Sequence, residues 1–266
     1  RILTSATQGV KIPNFVKFQN STVINYLNKE ASKLAIKTVI SPSGKRLKTL
    51  LDVVEHEGNE PGIIFCNLKD SIQEVSNFLS RNHISHGCFH GGMEQKDRER
   101  SLIKFRNGTF NVLLATDLAA RGIDIPEIKY IIHYQLPFNA NEFTHRNGRT
   151  ARVNAKGTAY VLKEEKENFP DFIKKTSNAD ISKKTPIKPN YWQTLFVSGG
   201  RKDKISKGDI AGLFFKQGNL NKDQLGIIEL KQDCTFVAVP ASEATKLVEA
   251  LNNSRLKKKK VRVTVI

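Results

Sequence analysis

The chain has 266 residues, 39% hydrophobic and 8% aromatic, which excludes wholesale disorder and suffices for one large core or two ordinary ones. No apolar run reaches the roughly 18 residues a membrane span requires, and the three cysteines, Cys66, Cys88 and Cys234, are too far apart for a disulfide framework or a cysteine zinc site. The 43 Lys and Arg against 26 Asp and Glu leave a net charge of +17, which points to a polyanionic partner; with no signal-peptide pattern, a reducing, cytoplasmic setting is expected.

In chain order, residues 45–57 place Leu47, Leu50, Leu51 and Val54 on one helical face. Gly62–Cys66 reads as a buried strand, and Ser71 with Glu74 as the capping box of a helix that turns Ile72, Val75 and Leu79 inward. A strand is expected at 86–90, then a helix opened by His90 to Arg98. Phe110–Ala115, Tyr130–Tyr134 and Gly157–Leu162 are further buried strands. Strands alternating with helices predict an α/β fold with a parallel sheet. Thr176 to Pro189 has the composition of a linker. Beyond it come a strand at Thr194–Val197, a helix at Lys207–Lys216, strands at Leu225–Leu230 and Thr235–Val239, a helix at Glu243–Leu251 and a strand at Val261–Ile266. That β-α-β-β-α-β order describes a small RRM-like, split βαβ domain. Residues 177–266 carry 17 Lys and Arg against 8 Asp and Glu, a net of +9; residues 1–176 carry 26 against 18, a net of +8, so the tail is about twice as basic per residue. The chain starts at Arg1 and its only methionine is Met93, so it reads as a piece of a longer protein.

Ligands of parallel α/β sheets bind beyond the carboxyl ends of the strands. After strand 110–115, Thr116 and Asp117 stand where a hydroxyl and a helix start could hold a phosphate, Gly122 permits close backbone approach, and Asp124 can accept from a sugar hydroxyl. A structural reading, with Asp117 capping a helix and Arg121 pairing with Asp124, explains these residues equally well. His145, Arg146, Arg149 and Arg152 crowd into eight residues. Arginine stabilises charge developing on a transferring phosphoryl group, and in a helix Arg149 and Arg152 would face the same way. A solvated basic helix is the alternative. At the third loop, Gly91 and Gly92 could approach a nucleic-acid backbone beside Gln95 and Arg98; an ordinary polar first turn competes. His83, His86, Cys88 and His90 lack zinc-finger spacing and are read as loop and core residues.

Together these segments resemble the C-terminal half of a DEAD-box RNA helicase. Ser5-Ala6-Thr7 resembles motif III, Ile63-Ile64-Phe65 motif IV, Gln95 and Arg98 the Q-x-x-R pattern, Thr116-Asp117 through Asp124 motif V, and His145 to Arg152 motif VI. The resemblance implies the end of a first RecA-like domain over 1–25 and a second RecA-like domain, a parallel sheet flanked by helices, over 26–175. It implies that Arg149 and Arg152 reach the ATP γ-phosphate, that Gly122 and Asp124 contact the ribose, and that Arg121 and His145 bridge to the first domain and to Ser5 and Thr7. Gln95, Arg98, Thr116, Gly91 and Gly92 would hold the RNA sugar-phosphate backbone. Two RecA-like domains would close on ATP, bend one strand and destabilise a short duplex. Mg2+ would be held mainly by the first domain, so this chain alone is expected not to hydrolyse ATP. Three positions depart from the pattern: Leu68 replaces a threonine, Asn147 an aliphatic residue and Ala151 a glycine.

After a linker at 176–191, residues 192–266 resemble the RNA-binding domain of DbpA-type bacterial helicases, through Thr194 to Ile205, Lys207 to Ile210 and Phe236 to Val239. That family binds a hairpin of large-subunit ribosomal RNA and acts in ribosome assembly, so structured ribosomal RNA is the expected partner of an expected monomer. Phe196 and Phe236 could stack bases, but core positions are the expectation. RNA contact then falls to Arg201, Lys202, Lys204 and Lys207; Lys257–Lys260 is either a further contact or a solvated edge. The competing readings are a helicase of mRNA turnover or cold adaptation, and a non-enzymatic RNA-binding or chaperone module.

Overall fold

The computed structural model describes residues 34–120, 125, 128–150, 156–174 and 176–266. It opens with strand β1 (Leu34–Ser41), followed by α1 (Arg46–Glu57), β2 (Gly62–Phe65), α2 (Lys69–Arg81), β3 (His86–Phe89), α3 (Gln95–Arg106), β4 (Val112–Ala115), α4 (Asp117–Ala120), β5 (Tyr130–His133), α5 (Ala140–Asn147), β6 (Gly157–Glu164) and β7 (Ser177–Asn178). These strands form one seven-stranded sheet in the order β3-β4-β2-β5-β6-β1-β7. Every strand pair in it is parallel. All residues of β2, β4 and β5 are buried, as expected of strands with helices on both faces. Ile64, Leu114 and Ile132 pack with Leu50 and Val54 of α1 and Ile72, Val75 and Leu79 of α2 on one face; Ile63, Leu113 and Ile131 pack with Phe105 of α3 on the other. This is the parallel α/β architecture expected from the alternation, and the helix-flanked, RecA-like sheet that the resemblance implied.

Two local expectations are corrected. Ser71 and Glu74 do not cap α2, which begins two residues earlier at Lys69 with no side-chain cap at Leu68. The turn before it is set instead by Asn67, whose backbone N–H donates to Gln135 Oε1 at 2.8 Å and whose Nδ2 donates to Leu136 O at 2.9 Å. Nor does a helix run through 144–152. Helix α5 starts at the Asn139 cap, which accepts from Glu142 N at 2.9 Å, and ends at Gly148, so Arg149 stands past its end.

Residues 179–188 run along α1. Ala179 N donates to Thr38 O at 2.8 Å, and Thr185 N to Glu55 O at 2.8 Å. Lys184 pairs with Asp52 and Glu55 at 2.5 and 3.0 Å. Asn59 both donates to Lys188 O and accepts from Lys188 N, each at 2.8 Å.

The tail comprises β8 (Trp192–Val197), α6 (Lys207–Lys216), β9 (Ile228–Leu230), β10 (Thr235–Pro240), α7 (Ala244–Leu251), the hairpin β11 (Arg255–Leu256) and β12 (Lys259–Lys260), and β13 (Val263–Val265). Its four-stranded antiparallel sheet has the order β13-β8-β10-β9. Leu195, Val197, Val237 and Val239 face α6 and α7 in a second core with Phe214, Leu247 and Leu251. The β-α-β-β-α-β reading holds; the hairpin between α7 and the last strand is an addition the sequence pattern did not show. Helix α6 carries a true capping box, Ser206 Oγ accepting from Asp209 N and the Asp209 carboxylate from Ser206 N.

The open face and edge of this sheet meet the end of α3. Arg106 grips Glu229 of β9 through two hydrogen bonds of 2.6 and 2.7 Å. Lys231 reaches Glu99 at 2.7 Å. Thr194 Oγ1 accepts from Asn107 Nδ2 at 3.1 Å and lies 2.7 Å from Thr109 Oγ1.

Candidate functional site

The strand order places the carboxyl ends of β3, β4, β2 and β5 side by side. The loops that leave them carry, in turn, Gly91 and Gly92, Thr116 and Asp117, Asn67, and Gln135. One side chain ties the last three of these loops, those after β4, β2 and β5, to α5. Arg146, 1% exposed, donates from Nε to Asp117 Oδ1 at 2.7 Å and from Nη2 to Asp117 Oδ2 at 2.5 Å. Its Nη1 donates to Gln135 O at 2.9 Å, and Nη2 also to Asn67 Oδ1 at 2.8 Å. The guanidinium lies 5.2 Å from the ring centre of Phe65. A planar fork that satisfies a carboxylate and two further acceptors is work a lysine cannot do.

Behind Arg146 lies His133, fully buried at the end of β5. Its Nε2 is 3.0 Å from Asn147 Oδ1, and its Nδ1 has no partner among the described residues. Burial, reinforced by the Arg146 charge, pushes this imidazole down to about 3, so it is neutral at pH 7. Asn147, a departure from the aliphatic residue of the resembling motif, thus has a place here as the partner of His133. Burial pushes the neighbouring Cys66 thiol up to about 12, which excludes it as a thiolate nucleophile at neutral pH.

The structure brings several expected site residues to this edge. Thr116 is half-buried at the end of β4. Gly91 and Gly92 are exposed, and a Cβ placed at Gly91 would meet nothing within 4 Å, so a ligand backbone can approach there. Gln95 is exposed on the first turn of α3; Arg98 is half-buried with its Nε lacking a partner among the described residues. His145 is exposed on α5, and Arg149 is half-buried just past it. Ser5, Thr7, Arg121, Gly122, Asp124 and Arg152 lie outside the described residues.

In the loop at 116–117, Asp117 starts α4 and its carboxylate is paired with Arg146, a partner that the sequence did not suggest. Arg146 itself is the residue that sequence reasoning passed over. The signal available was an arginine three residues after Phe143, on the same buried face of α5.

In the tail, Arg201, Lys202, Lys204 and Lys207 are all exposed, in the loop and first turn leading into α6. The Lys257–Lys260 run forms the hairpin. Lys257 pairs with Asp209 and Lys259 with Asp203, each at 2.7 Å, while Lys258 and Lys260 stay exposed. Lys257, with Ser206, holds the Asp209 carboxyl down to about 2. Phe196 and Phe236 do not join the core under α6 and α7. They sit on the opposite face because side chains alternate along a strand, Phe236 5% exposed, Phe196 half-buried, edge to face at 5.7 Å.

Among the described residues no helix is long and apolar enough to cross a membrane, and no group of three or more His, Cys, Asp or Glu could hold a metal ion.

Comparison with known proteins agrees with this geometry. Residues 45–154 match the helicase conserved C-terminal domain, and residues 194–265 match the DbpA RNA binding domain. The chain is 29% identical over 250 residues to the ATP-dependent RNA helicase DbpA of Bacillus subtilis, covering 82% of this chain and 52% of that protein. It is 31% identical over 213 residues to the ATP-dependent RNA helicase DbpA of Escherichia coli, covering 77% and 46%. The chain therefore spans about half the length of these relatives. A solved S. cerevisiae Dbp5 chain bound to RNA and ADP BeF3 has a TM-score of 0.52 at 24% identity, over 57% of this chain and 41% of its own, a likeness of fold. The chain thus joins a helicase C-terminal domain, in this order, to a DbpA RNA binding domain, and the relatives it resembles across both are named ATP-dependent RNA helicase DbpA.

Proposed function

We propose that this chain is the RNA-engaging C-terminal part of an ATP-dependent RNA helicase that unwinds short duplexes and is directed to large-subunit ribosomal RNA by its tail. Its units are the end of a first RecA-like domain at 1–25, a second RecA-like domain at 26–175, a connector at 176–191 and an RNA-binding domain at 192–266. The observation that carries the reading is the Arg146–Asp117 tie, which joins the loop bearing Thr116 to the α5 end bearing His145 and Arg149, on the sheet edge where the Gly91–Gly92 loop also stands.

A guanidinium at such an edge fits a phosphate group: Arg149 is cationic and half-buried just past the end of α5. ATP, when bound, supplies the γ-phosphate whose transfer Arg149, with Arg152, favours by stabilising developing negative charge. Gly122 and Asp124 hold the ribose in this reading. His145, exposed on α5, and Arg121 bridge to the first domain, to Ser5 and Thr7. Asp117 is committed to Arg146, so Mg2+ falls to acidic residues of the first domain. Gly91, Gly92, Gln95, Arg98 and Thr116 hold one RNA strand by its backbone without reading sequence; the exposure of Gly91, Gly92 and Gln95 at the sheet edge supports that role.

In the full-length protein, Arg149→Ala should lower RNA-stimulated ATPase turnover by about 10³-fold or more, the scale of an arginine finger, with RNA binding by the tail retained. An unchanged turnover would remove Arg149 from that role. Targeting has its own check. This chain should bind a large-subunit ribosomal hairpin more tightly than unpaired RNA of equal length at matched salt, with Arg201, Lys202, Lys204 and Lys207 as the contacts. Equal affinities would leave a general RNA helicase.

A further inference from the structure

The buried pair of His133 and Asn147 has no part in the chemistry proposed above. The imidazole Nε2 donates to Asn147 Oδ1 at 3.0 Å, and both residues are buried. The ring cannot swing away from this contact, since the Phe143 ring centre lies 5.0 Å and the Phe65 ring centre 6.4 Å from its own. An apolar pair would fill the same space with no polar group to satisfy. Here a hydrogen bond is kept although the buried Nδ1 has no partner among the described residues, so the contact fixes an orientation rather than adding net stability. Asn147 stands where the resembling motif has an aliphatic residue, which exchanges packing for a directed contact.

The orientation so fixed is that of the backbone entering Arg149. Asn147 is the last residue of α5. Arg149 N donates to Arg146 O at 3.1 Å and Thr150 N to Asn147 O at 3.2 Å, so the turn that presents Arg149 is built on the Asn147 carbonyl. On its far side Thr150 is buried, donates from Oγ1 to Ile128 O at 2.5 Å and forms a parallel bridge with Ile128. Arg149 therefore leaves the chain between two anchors, one at His133 at the end of β5 and one at Ile128 ahead of that strand. A group that stabilises developing charge must stand where the charge develops, and a misplacement of about 1 Å costs about 100-fold in rate. We propose that His133 and Asn147 are positioning residues for Arg149, setting the direction in which its guanidinium leaves the end of α5 while touching no nucleotide themselves. The inference rests on the arginine-finger reading of Arg149 given above.

The test is single-turnover ATP hydrolysis by the full-length protein at saturating RNA. Asn147→Leu, which keeps the branched shape and removes the acceptor, should slow hydrolysis by about 10- to 100-fold with ATP affinity unchanged. His133→Gln, which offers a donor at the same place, should keep most of the rate, whereas His133→Leu should lose as much as Asn147→Leu. The double variant, with leucine at both positions, should be no slower than either single one, since no polar group is then left unpaired. A second cycle separates positioning from a general loosening of the fold. Added to Arg149→Ala, Asn147→Leu should slow hydrolysis no further, because no guanidinium remains to be misplaced. A loss that multiplies in that background, or a wild-type rate in Asn147→Leu alone, overturns the positioning role and leaves Arg149 as the finger. An unchanged rate in Arg149→Ala overturns the finger reading and this inference with it. Thermal unfolding of each variant shows which have kept their fold. If Asn147→Leu has not, Asn147→Ser, polar but too short to reach His133, takes its place in both cycles with the same expected losses.

Discussion

Replacing Arg146 with alanine should lower the unfolding free energy by about 3–5 kcal/mol, the scale for removing one partner of a buried ion pair. Three acceptors depend on this guanidinium: the Asp117 carboxylate, Gln135 O and Asn67 Oδ1. Asp117 would be stranded beneath α5 without its countercharge, and the loops after β2, β4 and β5 would lose their common anchor. Arg146→Lys should recover only part of the loss, since an ammonium cannot make the bidentate contact. Chemical denaturation of this chain measures both. A loss of under about 1 kcal/mol for Arg146→Ala would show that the loops hold their positions without it, against the range given for such pairs. The same substitution in the full-length protein should impair ATPase turnover without removing any group that touches nucleotide, because Arg146 acts by positioning Thr116 and the end of α5.

Acid should weaken the fold well before the carboxylates as a class are protonated. The buried His133 titrates at about 3 when folded and at about 6.5 in an unfolded chain. Between those values the unfolded state binds the extra proton, so stability rises with pH. It is fully present above about 6.5 and is lost as pH falls toward 3, at up to about 1.4 kcal/mol per pH unit for this one group. His133→Gln is the comparison to make. Its stability should change more slowly than the wild type's between about pH 6.5 and 4.5, by about 1 kcal/mol per unit. Carboxylate contributions are common to both proteins and cancel. Parallel profiles would mean that His133 accepts its proton without unfolding.

The period of the apolar residues makes most of the architecture legible in the sequence. Gly62–Phe65, Val112–Ala115 and Tyr130–His133 are continuous apolar runs because parallel strands between helices are buried on both faces. β1 escaped because Leu34–Ser41 mixes exposed and buried positions, with Lys37 and Thr38 breaking the apolar run. In the site, residue type pointed to Thr116, Gly91, Gly92, Gln95, Arg98, His145 and Arg149, all of which stand at one edge or on the helices that flank it. The Arg146–Asp117 pair was not legible, since its partners are 29 residues apart and only the fold reveals that they touch. The misplaced cap at Ser71 has a similar origin: Asn67 is fixed by a loop 68 residues away, and that tertiary tie overrides the local capping signal. The placement of Phe196 failed for another reason. Alternation sorts residues onto two faces without saying which face the helices will cover.

The run from Ala179 to Lys188 has a mechanical consequence. A flexible tether would confer on its two modules a shared effective concentration but no shared orientation. This stretch is hydrogen-bonded to β1 and α1 along its length, and the tail is clasped again at Arg106 and Glu229. Such a junction can transmit torque. In the function proposed above, RNA gripped by the tail would turn with the parallel sheet, and the tail would act as a lever arm as well as an address.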